Sequence, residues 1–249
     1  MPRLSRIGAA SAGSFGLNSA FRPGTIAVDY LVVGGGGTSG STISPAGGGA
    51  GQVRILTGNI ITTATYIVIV GAVSGASTFN SITAVAGGSG SGADGGTSAA
   101  GFRGGNGNSV YYPPTGAPWT SGGDGYAGGG GGGAGGSGGN GAARNTPDYF
   151  AQGGNGGAGV TWPIDTVIYG IGAGGVGISI SNTDGVQPNS AGGSGGSTYG
   201  SGNVNGGVIV TYVNSVQLFT GGTVTSSGTT PNIRWKHTFS SSSNLVPLV

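Results

Sequence analysis

Glycine constrains this chain more than any other feature. It fills 63 of 249 positions, most densely in residues 86–207, where runs such as 87–88, 95–96, 128–133, 156–157 and 195–196 recur. Such runs have no side chains to bury, and glycine loses more conformational freedom on ordering than any other residue. Fixing each backbone unit costs roughly 1–2 kcal/mol. Glycine-, proline- and serine-rich composition ordinarily signals low complexity or disorder. Disorder, however, goes with few apolar residues and high net charge. Here 35% of residues are hydrophobic, 6% are charged and the formal net charge is +2. The chain therefore needs an ordered use for its glycine.

That use is not α-helix. The six acids are all Asp, Glu is absent, and Lys236 is the single lysine, so the best surface helix formers are missing. The basic residues are scattered and form no stripe for nucleic acid, although the pI is about 9.0. Without cysteine there is no disulfide framework and no thiolate metal site. Arg3 and Arg6 precede a segment, 7–20, that Gly, Ser and Asn interrupt. It lacks the continuous apolar core of a signal peptide. The strongest apolar run, 66–70, is too short to span a bilayer. The expectation is neither standard secretion nor membrane insertion.

Strand signals cluster at both ends. Residues 27–33 (AVDYLVV), 52–56 (QVRIL), 66–70 (YIVIV) and 77–86 (STFNSITAVA) lead into the glycine. Residues 208–213 (VIVTYV), 216–219, 233–239 (IRWKHTF) and 245–249 follow it, with 221–222 and 226–228 as turn signals. The expected fold is all-β, a β-sandwich or jelly-roll-like arrangement with almost no helix. Residues 1–26 are expected to be an extended arm that attaches to a neighbouring subunit or larger assembly. Residues 27–213 form the glycine-rich domain, in which strands 27–86 and 208–213 frame an insertion at 87–207. Residues 214–249 complete the sandwich, or that of a neighbouring copy; deleting 232–249 should then abolish folding or assembly.

The glycine does not keep the every-third-residue period of collagen. The remaining ordered option is a lattice of left-handed polyproline-II-type helices, three residues per turn. Side-chain-free backbones pack closely enough for N–H groups of one helix to bond carbonyls of the next, satisfying buried polar groups. A Cβ inside such a lattice should clash, so Gly131→Val is expected to destabilise far more than Gly37→Val.

Four segments interrupt the glycine: 106–124, 144–152, 160–169 and 181–190. They carry Tyr111, Tyr112, Trp119, Tyr149, Phe150, Trp162 and Tyr169, with Pro113, Pro114, Pro118, Pro147, Pro163 and Pro188. Proline lowers the cost of ordering a loop. Aromatics set among Asn, Ser and Gly provide rigid contact area with adaptable hydrogen bonding. Tyr111, Tyr112, Trp119, Tyr149, Phe150 and Trp162 are therefore the candidate binding residues. The alternative is that some of them cover the flanks of the lattice. Segment 160–169 is the one that looks half buried.

Catalytic motifs do not survive their context. Gly35-x-Gly37-x-x-Gly40 has dinucleotide-binding spacing, but TSGSTISPAGGG cannot supply the helix that holds a pyrophosphate. Gly135-x-Ser137-x-Gly139 and Gly192-x-Ser194-x-Gly196 match a nucleophile elbow without its strand-to-helix setting, and His237 is the sole histidine. Asp94, Asp124, Asp148, Asp165 and Asp184 lack calcium-loop spacing and suit turns. No enzyme, cofactor or metal site is expected.

The succession VDYLVVGGGG (28–37), GGGAGQVRILTG (47–58), TYIVIVGA (65–72), STFNSITAVAGG (77–88), long glycine tracts and GGVIVTYV (206–213) resembles the glycine-rich domains of bacteriophage virion proteins. Tail fibres and receptor-binding proteins carry such domains, and the resemblance covers residues 27–213. The fibre-tip adhesins of T-even-type phages are similar more loosely, with packed polyglycine helices presenting receptor-touching loops. In such domains a strand resembling HTFTSSGTFT precedes the YLVV strand. Here its nearest match, HTFSSSSNL (237–245), lies near the C-terminus. The resemblance implies a tail fibre or adhesin on the phage particle surface that binds a bacterial surface glycan or outer-membrane protein. It implies attachment to other virion proteins through the arm and a homo-oligomer, trimeric by analogy. A capsid decoration or fibre-attachment protein without specific receptor binding is the alternative, and a bacterial surface or matrix protein is a remoter one.

Overall fold

A computed structural model describes residues 24–40, 46–91, 94–101, 108–112, 123–143, 151–173, 177–180, 190–191, 198–199, 201–202 and 204–248. Among them there is no helix; the protein is all-β. Residues 1–23 of the expected arm lie outside the described residues.

Before the densest glycine come β1 (Thr25–Val33), β2 (Val53–Thr62), β3 (Tyr66–Ile69), β4 (Ser77–Phe79) and β5 (Ile82–Ala84). Short strands occupy the glycine region: β6 (Asn108–Tyr112), β7 (Gly123–Ala127), β8 (Ala142–Ala143), β9 (Ala151–Gln152), β10 (Val160–Thr161), β11 (Ile168–Tyr169), β12 (Gly177–Ile180) and β13 (Ser190–Ala191). The chain closes with β14 (Gly207–Asn214), β15 (Phe219–Thr220), β16 (Thr223–Ser227), β17 (Ile233–Phe239) and β18 (Ser243–Pro247). Two five-stranded antiparallel sheets result, ordered β16-β17-β14-β1-β2 and β15-β18-β3-β4-β5.

The two sheets share one core. Val28, Tyr30 and Val32 of β1 and Val208, Val210 and Tyr212 of β14 meet Val68, Phe79, Phe219 and Leu245 of the second sheet. Tyr30 stacks edge-on to Phe79 with ring centroids 5.1 Å apart, and Tyr212 likewise to Phe219 at 5.7 Å. Residues 30–33 of β1 and 207–212 of β14 are buried on both faces, which accounts for their largely apolar sequence. They pair directly, Val33 opposite Gly207, so the long excursion between them leaves and returns at one point of the sheet.

The C-terminal strands complete both sheets within the same chain. β17 lies between β14 and β16, and β18 between β3 and β15. Residues 226–228 were expected to mark a turn, yet Ser226 and Ser227 belong to β16, opposite Trp235 and Arg234. The alternating Thr223-Val224-Thr225 start carries the strand past the serines to the turn at Gly228, whose φ is +96°.

One buried polar chain ties this C-terminal module together. His237 Nδ1 lies 3.0 Å from the Gly221 carbonyl and Nε2 lies 3.3 Å from the Tyr212 hydroxyl. That hydroxyl accepts the Leu218 and Phe219 amides at 2.9 and 3.2 Å. Neutral His237 protonated on Nδ1 satisfies every group: Nδ1–H donates to Gly221 and Nε2 accepts from Tyr212. A second proton would have no acceptor, and burial holds the His237 pKa below its ordinary value. The unfolded chain takes up that proton near pH 6.5, before the folded chain does. Stability should therefore be full above that pH and fall as pH drops through the folded value, by up to about 1.4 kcal/mol per unit. Denaturant midpoints at about pH 7.5 and 5 check this linkage. His237→Asn should be less stable at neutral pH but lack this slope; an equal slope in both would assign the effect elsewhere.

Glycine segments pack against one another through main-chain hydrogen bonds. Gly34 and Gly37 donate to Gln52 and Gly49 on one neighbouring segment, whereas Gly35 and Gly36 donate to Gly75 and Val204 on two others. Gly47 and Ala50 donate to Gly129 and Gly132; Gly96 and Ala99 donate to Gly47 and Ala50; Gly154 and Gly157 donate to Gly128 and Gly131. Donors three residues apart thus reach acceptors three residues apart on the same neighbour. Segment 46–52 is bonded to 34–37, 85–88, 96–99, 129–132 and 173. A Cβ built on Gly36, Gly47, Gly48, Gly130, Gly131 or Gly172 would meet a backbone carbonyl carbon of another segment closer than 3.0 Å.

This packing extends beyond residues 87–207, contrary to the expected boundary. Residues 34–37 and 46–51 are inside it, and a Cβ on Gly37 would meet the Gly88 carbonyl. The expected contrast between Gly37 and Gly131 is therefore wrong. Both are buried glycines under neighbouring main chain.

Candidate functional site

The four interrupting segments separate into two groups. Three are rooted on a pair of small sheets; the fourth folds back onto the first large sheet.

In the first small sheet, ordered β12-β7-β6, Tyr111 lies opposite Asp124, Tyr112 opposite Gly123, and Ile180 opposite Asp124. The ends at 112, 123 and 180 are thus on one side. Connection 113–122 joins the first two, and 181–189 leaves from the third. In the second, ordered β13-β9-β8, Ala143 lies opposite Ala151 and Ser190 beside Ala151. Connection 144–150 therefore leaves and re-enters at the end where 181–189 arrives. β12 packs against β9 and β13, and β7 against β8 and β9, so the two sheets adjoin. Neighbouring glycine tracts feed them: Gly128 accepts Gly154 N–H and Gly130 N–H donates to Gly139, just beyond β7, β9 and β8. Main-chain-bonded glycine tracts thus adjoin β7, β8 and β9, which bound connections 113–122 and 144–150.

Tyr111 and Tyr112 are at the root of connection 113–122, in the last two positions of β6. Trp119, Tyr149 and Phe150 lie outside the described residues.

Trp162 is in a different place altogether. It is fully buried, packed with Leu31, Val33, Ile209 and Tyr169 on the outer face of the first sheet. As a residue expected to meet a receptor it is therefore corrected: its ring is core. Hairpin β10-β11, with Val160 opposite Tyr169, carries it there. Trp162 Nε1 is the one buried side-chain polar atom without a hydrogen-bond partner among the described residues.

A single ion-pair cluster fastens this hairpin. Lys236 Nζ of β17 donates to Asp165 Oδ2 at 2.8 Å, and the Tyr169 hydroxyl donates to the same oxygen at 2.7 Å. The Val167 amide donates to Oδ1 at 3.1 Å. Burial pushes the Asp165 carboxyl up, but the hydrogen bonds from Lys236, Tyr169 and Val167 outweigh it and hold the carboxyl below its ordinary value. Burial, then the Asp165 contact, pushes the Tyr169 phenol well up. Both shifts keep the arrangement of carboxylate, ammonium and neutral phenol. The second ion pair, Arg234 with Asp29 at 3.5 Å, lies further along β17; Asp29 also accepts the Gly58 amide at 2.8 Å.

Chemically this is anchoring. Asp165 is saturated by its own hairpin and Lys236, and His237 is enclosed in the core. Among the described residues no group of three or more His, Asp or Glu could hold a metal ion. No described helix is long and apolar enough to cross a membrane. A scan against protein-family models, a search of curated proteins and a search of solved structures found no match.

The sequence missed two things that shape this site. One is the pair of small sheets, because the dipeptides Ala142–Ala143 and Ala151–Gln152 carry no strand pattern. The other is the Lys236–Asp165 pair, which spans 71 residues. Its only available signal was that the sole lysine sits at an alternating, outward position of a strand.

Proposed function

We propose that this chain is a bacteriophage virion protein, a tail fibre or adhesin, in which a polyglycine-II-type lattice presents three loops to a bacterial surface glycan or outer-membrane protein. The observation that carries this reading is the common rooting of connections 113–122, 144–150 and 181–189 on two adjoining small sheets. These connections hold Trp119, Tyr149, Phe150 and the Asn- and Pro-rich stretch 181–189, and Tyr111 and Tyr112 stand at the entry of the first. Variable, aromatic-rich loops on a rigid support are a common way of placing recognition residues.

Three-residue bonding periodicity supports the lattice, because a threefold helix turns successive N–H groups toward successive neighbours. The glycines supply close approach instead of apolar burial, and the sandwich, jelly-roll-like in this reading, anchors the lattice at both ends. In the same reading the expected arm, whose last two residues Thr25 and Ile26 instead open β1, joins other virion proteins through the residues before them, the particle carries the chain as a homo-oligomer, and catalysis plays no part.

The test is cell labelling. Fluorescently labelled protein should decorate particular bacterial strains in a panel, and Tyr111→Ala with Tyr112→Ala and Trp119→Ala should abolish that labelling while leaving the melting temperature within a few degrees. Labelling that ignores these substitutions, or is absent from every strain, contradicts the adhesin reading and favours a decoration or attachment role.

A further inference from the structure

The sandwich has two distinct ends. At one, Thr25 lies opposite Thr62, whose N–H donates to the Tyr66 hydroxyl at 3.1 Å. Leu245 lies opposite Tyr66, Pro247 opposite Phe219, and the Leu248 amide donates to the Leu218 carbonyl. β1 therefore begins, and β18 finishes, at this end. At the other end the strands run into the glycine packing. Val33 lies opposite Val53 and Gly207, Gly34 donates to Gln52, and Gly206 donates to Gly71 just beyond β3. Phe239 lies opposite Val208, so the turn 240–242 is at this end too.

β1 joins the two ends. It is flanked along its length, by β2 from Thr25 and by β14 from Asp29. Tyr30, Leu31, Val32 and Val33 are fully buried and face alternately the shared core and the Trp162 hairpin. Sliding β1 by one residue would exchange those faces. Asp29 pins the register further. Its Oδ1 accepts the Gly58 amide of β2 at 2.8 Å, and its Oδ2 meets Arg234 of β17, two strands away, at 3.5 Å.

We propose that the sandwich is a tension-bearing mount, in which a pull on residues 1–24 against the glycine packing is carried in shear by β1. Antiparallel ladder hydrogen bonds lie perpendicular to the strands. A pull along β1 loads its bonds to β2 and β14 together, and none is released until many are. A pull across the strands opens a ladder one pair at a time. Forced unfolding follows the unfolding rate, not the equilibrium stability, so the direction of pull matters even though the fold is the same. The sandwich is thus strong between its two ends and weak between the two chain termini, which leave at the same end. The use of such a mount rests on the adhesin reading, in which particle and host hold the chain from opposite sides; the mechanical anisotropy does not.

Single-molecule pulling tests it. The chain has no cysteine, so handles attach only where one is introduced. Ser5→Cys with Ser241→Cys, an exposed position in the turn 240–242, pulls β1 and β17 in opposite directions along the first sheet. Ser5→Cys with Val249→Cys pulls β1 and β18 from the same end. At a common loading rate the first pair should unfold at several times the force of the second. Wild-type melting temperatures show that neither pair disturbs the fold, and Ser240→Cys, also exposed, replaces Ser241→Cys should that variant fold poorly. Equal forces, or a higher force between residues 5 and 249, would overturn the proposal. Anisotropic unfolding of a protein that labels no bacterial strain would support shear loading of β1 and contradict only the adhesin reading.

Discussion

Gly131→Val should lower the melting temperature by about 10 °C or more, or prevent folding. Gly131 N–H donates to Ala173, its carbonyl accepts Gly157, and a Cβ would be driven into the Gly48 main chain. Overpacking a well-filled core costs about 1–3 kcal/mol when side chains can shift. Here the obstacles are carbonyls already bonded to further segments, so relief requires moving several segments at once. In a protein of this size each 1 kcal/mol shifts the midpoint by about 2–4 °C. Gly37→Val should be as damaging, since Gly37 is buried against Gly88 and bonded to Gly49. Gly136→Ala is the control: its nearest neighbour is the Ala158 Cβ at 3.5 Å, an ordinary contact, and the change should cost about 0.5 kcal/mol or less. Thermal unfolding followed by circular dichroism distinguishes these outcomes. Comparable, small shifts for all three would mean that the glycines are not held by close approach.

Removal of residues 232–249 should leave a chain that does not fold. It deletes β17 and β18, one from each sheet, and exposes the edges of β14 and β3. Phe239, His237 and Leu245, all fully buried, go with them. Losing each large apolar side chain alone costs about 2–5 kcal/mol, and a typical domain has only about 5–15 kcal/mol in total. The truncated chain should be insoluble or show collapsed amide dispersion. A soluble truncation with the full-length melting temperature would mean that the C-terminal strands are an appendage, not part of the core.

The legible parts of the fold were those where apolar residues cluster. Tyr30 to Val33 and Val208 to Tyr212 are rich in β-branched and aromatic residues, and both of their faces are covered. Ile233 to Phe239 has alternation that separates His237 and Phe239, inward, from Arg234 and Lys236, outward. That glycine segments would pack through main-chain hydrogen bonds was legible; how far that packing extends was not. Residues 34–37 and 46–51 look like turns after and before strands; only the bonds of 34–37 to 49, 52, 75, 87 and 204, and of 46–51 to 129–132 and 173, place them inside. Trp162 misled for a related reason: an aromatic beside proline in a glycine-rich stretch looks the same from sequence whether it meets solvent or the back of a sheet. Its burial depends on Leu31, Val33 and Ile209 facing outward from strands far away in the chain. The common root of three loops was illegible because it rests on strands of two to five residues whose partners are set by the glycine packing between them.

Amide hydrogen exchange distinguishes the proposed main-chain lattice from loosely packed glycine tracts. Gly130, Gly131 and Gly132 donate to Gly139, Ala173 and Gly96, on three different segments. In a cooperative lattice these amides open only when the whole protein unfolds, so they should exchange as slowly as those of Val208 to Tyr212 in the central strand β14. Exchange at the rate of an unstructured glycine peptide, with β14 still protected, would mean that the tracts are not held in such a lattice.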